Sequence, residues 1–209
     1  MSLTRNVVRL GIAALFVSSV FALSASAQQQ QVFSEIKIKN FGQMDERFFR
    51  GAEPKTADDF AALKSLGVRT VIDLQAEPEP TERGRVEALG MRYVHIPMIE
   101  KTYPTEEAVA AFLKTVDDPE TGKFFLHCAG GRHRTGALGA VYRFTKYGWD
   151  YEHAYREMKQ FDFYTRWGHG DFKKFVENYW TRIQSGEIHV APAATTAAAN
   201  TSAQIQPHK

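Results

Sequence analysis

Strand-like apolar runs alternate with amphipathic helical segments along this 209-residue chain, which predicts an α/β fold: a three-layer sandwich with a central, mainly parallel sheet flanked by helices. Three observations carry that reading. The run VRTVIDL at residues 68–74 is β-branched and apolar, as expected for a strand covered on both faces. Val109, Phe112, Leu113 and Val116 recur at helical spacing and form a core stripe. The stretch KFFLHCAGGRHRT, residues 123–135, passes from an apolar strand through a glycine loop into an apolar helix. That order puts the loop at the carboxyl end of its strand, where such sheets bind ligands.

Residues 32–38 alternate weakly, and the segment from Phe48 to Pro54 reads as a short strand ending in a turn. Thr56 caps a helix with Asp59 in the capping-box position; Phe60, Leu63 and Leu66 form its buried face and Gly67 ends it. A second helix follows Pro80, and RYVHI (residues 92–96) makes the next strand. The loop PMIEKTYP leads into a helix from Thr105, which Asp117, Asp118 and Pro119 stop. After the glycine loop a helix beginning at Thr135 carries Ala137, Leu138, Ala140, Val141 and Phe144, is apolar on most faces and should lie centrally. Gly136 and Gly139 permit close packing there, and Gly148 closes it. Asp150 and Asp171 are expected N-caps of two more helices, the second with Phe172, Phe175, Val176, Tyr179 and Ile183 on one face.

Hydrophobic content of 44% and charged content of 24% suit one soluble domain with appendages. Arg5 and Arg9 precede an apolar run at residues 10–23 and the small residues Ala25, Ser26 and Ala27. Residues 1–27 therefore read as a secretory signal peptide cleaved after Ala27, and a periplasmic or secreted location is expected. The apolar run is shorter than the ~20 residues a spanning helix needs, so no stable membrane anchor is expected after cleavage. Residues 28–186 are the expected catalytic domain, and the Ala/Thr-rich residues 187–209 an expected disordered tail. Cleavage removes two arginines and no acid, taking the formal charge from +2 to zero and leaving nucleic-acid binding without support. A monomer is expected. The single cysteine cannot form an intramolecular disulfide, so its thiol stays available and open to oxidation unless a backbone nitrogen captures the sulfenic acid.

That cysteine, Cys128, lies five residues before Arg134. Gly130 and Gly131 let the backbone curl so that amides point inward as an oxyanion nest, and the following helix aims its positive end at the same spot. A helix N-terminus with neighbouring cations lowers a thiol's pKa from about 8.5 toward roughly 3.5–7.5, making a nucleophilic thiolate. Arg134 offers a planar fork for two phosphoryl oxygens, and the Thr135 hydroxyl can donate to the sulfur. Ala129, Gly130, Gly131, Arg132 and His133 complete the expected phosphate-binding loop, with Arg132 and His133 adding cationic character.

His127, Cys128, Gly131, Arg134 and Thr135 match the His-Cys, five residues, Arg-Thr signature of cysteine-dependent tyrosine and dual-specificity phosphatases, which the chain resembles. From residue 48 to residue 161 the element order, with RGAEP, TVIDL and YVHIP, is similar to the compact dual-specificity branch. The resemblance implies a dual-specificity-phosphatase-like sandwich and two-step phosphoryl transfer through a cysteinyl phosphate, with no cofactor and no metal. It implies a phosphorylated protein or a small-molecule phosphate ester as substrate. The family takes its general acid from an Asp between the preceding strand and helix; this loop has none, and Glu100 stands in that place. Glu106 and Glu107 complement a helix dipole, and Asp117 and Asp118 are turn residues. GRHRTG also resembles the GKHRTG form of phosphatases acting on inositol pyrophosphates, so inositol polyphosphates, pyrophosphates or phosphoinositides are the alternative substrates.

Rival readings are a rhodanese-like sulfur transferase, disfavoured by the five-residue spacing, and a zinc site of His127, Cys128 and His133, which lacks companion ligands. A weakly active phosphate-binding pseudophosphatase is the alternative of another class. Residues 161–167 (FDFYTRW) could wall the pocket through Tyr164 or Arg166, with core packing favoured, and His95, His153 and His169 carry no functional expectation.

Overall fold

The computed structural model describes Phe33 and residues 36–190. The chain divides into two units, Met1–Ile36 and Lys37–Lys209, and every element named below belongs to the second. The expected signal peptide, and the expected tail beyond residue 190, lie outside the described residues.

Five strands form one sheet: β1 (Gly42–Gln43), β2 (Phe48–Ala52), β3 (Val68–Gln75), β4 (Arg92–Met98) and β5 (Lys123–Cys128), in the order β1-β2-β5-β3-β4. β1 pairs antiparallel with β2; every other pairing is parallel. The α-helices named here, all among the described residues, are α1 (Ala57–Ser65), α2 (Glu82–Ala88), α3 (Glu106–Asp117), α4 (His133–Tyr147), α5 (Tyr151–Gln160) and α6 (Gly170–Gln184). The chain crosses between β2 and β3 before β5 fills the gap between them, so the carboxyl end of β5 opens at the centre of the sheet.

Pleating decides what β5 offers to each face. Phe124, Leu126 and Cys128 join Phe48, Ile72, Leu74, Ile96 and Met98 in a core filled by Val109 and Phe112 of α3, Leu138 and Val141 of α4, Met158 of α5 and Phe172 and Val176 of α6. Phe125 and His127 point to the other face, where Phe41 and Phe49 extend the stack and α1 and α2 cover β3 and β4. The three layers expected from the sequence are present.

Thr56 and Asp59 form the capping box, and Gly148 adopts the left-handed conformation that ends α4. The boundaries differ at four places. β4 runs on to Met98, because an edge strand accommodates Pro97 without losing an inner ladder bond. α4 starts at His133 rather than Thr135, which draws His133 and Arg134 into its first turn. His169, not Asp171, caps α6, and Asp171 sits in the first turn where an acid complements the dipole. The ordered packing also passes residue 186: Glu187 pairs with Arg182 at 2.7 Å and Ile188 packs on the core.

Candidate active site

Cys128 ends β5 in register with Ala52 of β2, and the chain then turns through Ala129–Arg132 into α4. Only one of the two glycines is required by geometry. Gly131 has φ 63°, and a Cβ there would stand 2.3 Å from the Gly51 carbonyl carbon, whereas at Gly130 it would meet nothing nearer than 3.9 Å. Two side chains from before β2 and within it hold the curl from outside. Asn40 Nδ2 donates to the Gly130 carbonyl at 2.8 Å and Arg50 Nη2 donates to the Gly131 carbonyl at 2.7 Å. With both carbonyls drawn outward, the amides are left to face the sulfur. Gly131→Ala should cost at least the roughly 1–2 kcal/mol of a left-handed L-residue. Denaturant unfolding measures it, and an unchanged midpoint would show that the loop does not need this conformation.

Cys128 is 3% exposed, and burial alone would push its thiol up. Arg134, the Thr135 hydroxyl and the amides of Thr135 and Gly130 outweigh burial and bring it below the ordinary thiol value. The Thr135 hydroxyl is buried with no oxygen or nitrogen partner among the described residues; it falls short of a formed hydrogen bond and acts on the sulfur as a nearby dipole. Arg134 Nη1 donates to the carbonyls of Met98 at 3.1 Å and Leu74 at 3.4 Å, so the ends of β3 and β4 hold one prong of the guanidinium. Among the described residues its other nitrogens carry no protein hydrogen bond, which leaves donors for an oxyanion. Burial lowers Arg50 to about 10, still a cation at neutral pH, and its charge favours the Cys128 thiolate from beneath the loop. Phe161 stacks on that guanidinium at 4.0 Å.

Cys128, Ala129, Gly130, Arg132, His133 and Arg134 line a hollow of about 100 Å³ together with Glu100, Tyr164 and His169. The structure thus gathers the expected loop and the expected acid at one place. Gly131 and Thr135 do not line the hollow: Gly131 lies against the Gly51 backbone and Thr135 is fully buried in the first turn of α4. A shallower neighbouring hollow of about 360 Å³ is bordered by Arg132, Lys159, Asp162, Phe163, Tyr164 and Arg166. The segment 161–167 therefore divides: Phe161 and Phe163 pack in the core, while Tyr164 and Arg166 wall the hollows.

The expected cationic character holds for Arg132 and fails for His133. Burial, then the neighbouring His169, lower His133 to about 4, so its ring is neutral near neutral pH. Its Nε2 donates to the Tyr164 carbonyl at 3.0 Å, which makes it a wall and a tether rather than an anion ligand. His169 was unforeseen in this site. It stacks on His133 with ring centroids 3.7 Å apart and planes 6° from parallel. Of the other histidines, His95 bonds the Gln75 carbonyl at 2.7 Å and His153 pairs with Asp150 at 2.8 Å.

Behind the loop, on the α1–α2 side of the sheet, Asp73, Glu82 and His127 are buried together, and their ligand atoms lie within 4.8 Å of one another. No zinc-type grouping of His127 with Cys128 and His133 forms among the described residues. Asp73 already accepts from the Gln75 amide and the Tyr93 hydroxyl, both at 2.8 Å. Glu82 Oε1 approaches His127 Nε2 at 2.8 Å but off the hydrogen-bond line. The cluster is an internal charge pair rather than an open ligand set. Burial lowers His127, but Glu82, Asp73 and Cys128 together carry it above the ordinary histidine value.

This has a sign for stability. The folded state holds the His127 proton more tightly than the unfolded chain, so the pair's contribution is full below about pH 6.5 and is lost as pH rises through the raised folded value. Glu82→Ala should flatten that slope and cost about 3–5 kcal/mol near pH 6, the range for breaking a buried pair. Urea unfolding across pH measures both, and an identical slope in the variant would refute the pairing.

A thiol cradled by inward amides and one guanidinium, at the carboxyl end of a central parallel strand, defines the cysteine-dependent phosphatase class. The family model described as "DSP-PTPase phosphatase fused to NAD+ Kinase" matches residues 25–170, well over half of the chain, and the chain belongs to this phosphatase family. It is similar to inositol diphosphatase DSP3 of Arabidopsis thaliana, 31% identical over an alignment of 104 residues, which covers 47% of this chain and 51% of that one. It is also similar to the dual specificity protein phosphatase TpbA of Pseudomonas aeruginosa, 27% identical over 58% of this chain and 54% of that protein. The chain spans about half the length of these curated relatives. The core catalytic domain of the PP-IP phosphatase SIW14 from S. cerevisiae shares the fold at TM-score 0.57 and 21% identity, over 73% of this chain and 94% of that one.

Proposed function

We propose that the chain is a metal-independent phosphatase that hydrolyses phosphate monoesters through a cysteinyl-phosphate intermediate. The observation that carries this is the Cys128 thiol, held below its ordinary pKa under a loop whose amides and Arg134 face it. The thiolate attacks phosphorus in line, the P–S bond forms and the P–O bond to the leaving group breaks. Arg134 and the amides take the charge on the equatorial oxygens. Glu100 gives its proton to the leaving oxygen and, as carboxylate, takes one from the water that displaces the sulfur; inorganic phosphate leaves and the thiolate returns.

Glu100→Gln should slow an alkyl phosphate about 10²-fold or more and a nitrophenyl phosphate far less, because an acidic phenol leaves without help. Equal rates on both esters relative to the parent would refute the assignment. Phosphotyrosine, phosphoserine and phosphothreonine esters fit this chemistry, as does the name of the TpbA relative. A second reading, an inositol polyphosphate or pyrophosphate, is favoured by the hollow that carries Arg132, Lys159 and Arg166 beside the loop and by the name of the DSP3 relative. Arg132→Ala should raise KM for such polyanions more than for a singly charged aryl ester; equal changes would remove this reading. The leader-like composition of residues 1–27 supports activity in the periplasm or outside the cell, and the N-terminus of the mature chain would then be Gln28.

A further inference from the structure

Among the described residues no hydrogen bond holds the Glu100 side chain. Its side chain is 61% exposed, on a turn whose next residue, Lys101, is left-handed at φ 60°. A proton donor so placed would spend most of its time away from the leaving oxygen. The surroundings of the turn supply what the turn lacks. Tyr103 packs edge-on against Phe175 at 5.4 Å and accepts from Asn178 Nδ2 at 3.3 Å, and Glu106 pairs with Arg182, so the loop from β4 to α3 is fastened along α6. Gly168, just before that helix, lies against the Lys101 side chain. His169, the residue that caps α6, is thereby brought to the hollow, with Nε2 3.9 Å from Glu100 Oε1.

We infer that His169 is the positioning residue for Glu100: its Nε2–H meets the Glu100 carboxyl and holds it over the phosphate loop. The inference rests on the reading of Glu100 as the general acid. Three features fit His169 to that task. It is 4% exposed and clamped face to face on His133, whose own Nε2 is spent on the Tyr164 carbonyl, so the ring plane is fixed on both sides of the stack. Its Nδ1 is buried with no hydrogen-bond partner among the described residues, so the proton belongs on Nε2, where a carboxyl oxygen is at hand. Burial is the largest influence and lowers the ring below the ordinary histidine value; of the charged groups around it Glu100 favours the imidazolium and Lys101 and Arg134 oppose it, while the stacked His133 is neutral. A neutral imidazole N–H orients a carboxyl without the full positive charge that would bias it toward the carboxylate.

The test compares an alkyl phosphate with a nitrophenyl phosphate in four proteins: His169→Phe, His169→Gln, Glu100→Gln and the double variant His169→Phe with Glu100→Gln. Phe keeps a ring to stack on His133 and has no N–H; Gln keeps a donor. His169→Phe is expected to lower kcat on the alkyl ester about tenfold or more with little change on the aryl ester, and His169→Gln to recover part of that loss. Adding His169→Phe to Glu100→Gln is expected to cost nothing further, because both act on one proton. Equal loss on the two esters, or losses that multiply in the double variant, would overturn the role. A selective loss in Glu100→Gln with none in His169→Phe would overturn the positioning role alone. No selective loss in Glu100→Gln would overturn the acid assignment and this role with it.

Discussion

Cys128→Ser is expected to abolish turnover, by about 10⁴-fold or more, while leaving inorganic phosphate able to bind. The serine hydroxyl is not ionised near neutral pH, so the influences that lower the thiol have no anion to stabilise at the attacking atom. The cradle does not depend on sulfur: its shape comes from Gly131, from the outward pull of Asn40 and Arg50 on the two carbonyls, and from the first turn of α4. Turnover and phosphate titration on the same two proteins separate an enzyme from a phosphate-binding module. A parent protein with no turnover to lose would favour the module.

Arg134→Lys is expected to lower kcat about 10²–10³-fold, the loss seen when one donor to a developing oxyanion is removed. The substitution keeps a charge and removes the fork. A lysine has no second planar donor, and its ammonium cannot both bond the Met98 and Leu74 carbonyls and present two N–H groups to the phosphoryl oxygens. Arg134 is also the largest of the influences that lower the Cys128 thiol, and it acts through its charge; Arg134→Lys retains that charge, whereas Arg134→Met removes it and should make the thiol titrate higher. Alkylation rate against pH reads this directly: the parent's inflection lies below the ordinary thiol value, and the methionine variant's moves upward. Loss of rate with an unmoved inflection would mean that Arg134 acts on the phosphoryl group alone.

Most of the fold could be read from local patterns because the relevant contacts are local. The capping box at Thr56 and Asp59 spans three residues, the strand at 68–74 shows its burial in its own composition, and the phosphate loop is contiguous from Cys128 to Arg134. What could not be read is the support from distant parts of the chain. Arg50 reaches Gly131 across 81 residues and Asn40 reaches Gly130 across 90, and no spacing rule announces such a pair. Arg50 lay within the RGAEP segment that contributed to the resemblance, yet nothing local said that its guanidinium would be buried under the loop. Glu82 is an acid in the first turn of α2 with nothing local to mark it, and only the sheet places His127 beside it. His133 misled for a related reason. Between two arginines it reads as part of a basic run, but burial and the stacked His169 keep it neutral. His169 itself sits between two glycines with no motif around it, and only the docking of α6 along the acid loop brings it to Glu100.

The mechanism requires that Cys128 itself carry the phosphoryl group during turnover. It is tested most directly by mixing the protein with a nitrophenyl phosphate, quenching in acid within a single turnover, and mapping the peptide that contains Cys128 by mass. The mechanism predicts one added phosphoryl group on that peptide, on sulfur, absent from Arg134→Lys at the same time point and lost on standing at neutral pH. A protein that releases phosphate at its normal rate while the Cys128 peptide stays unmodified through the first turnover would contradict it.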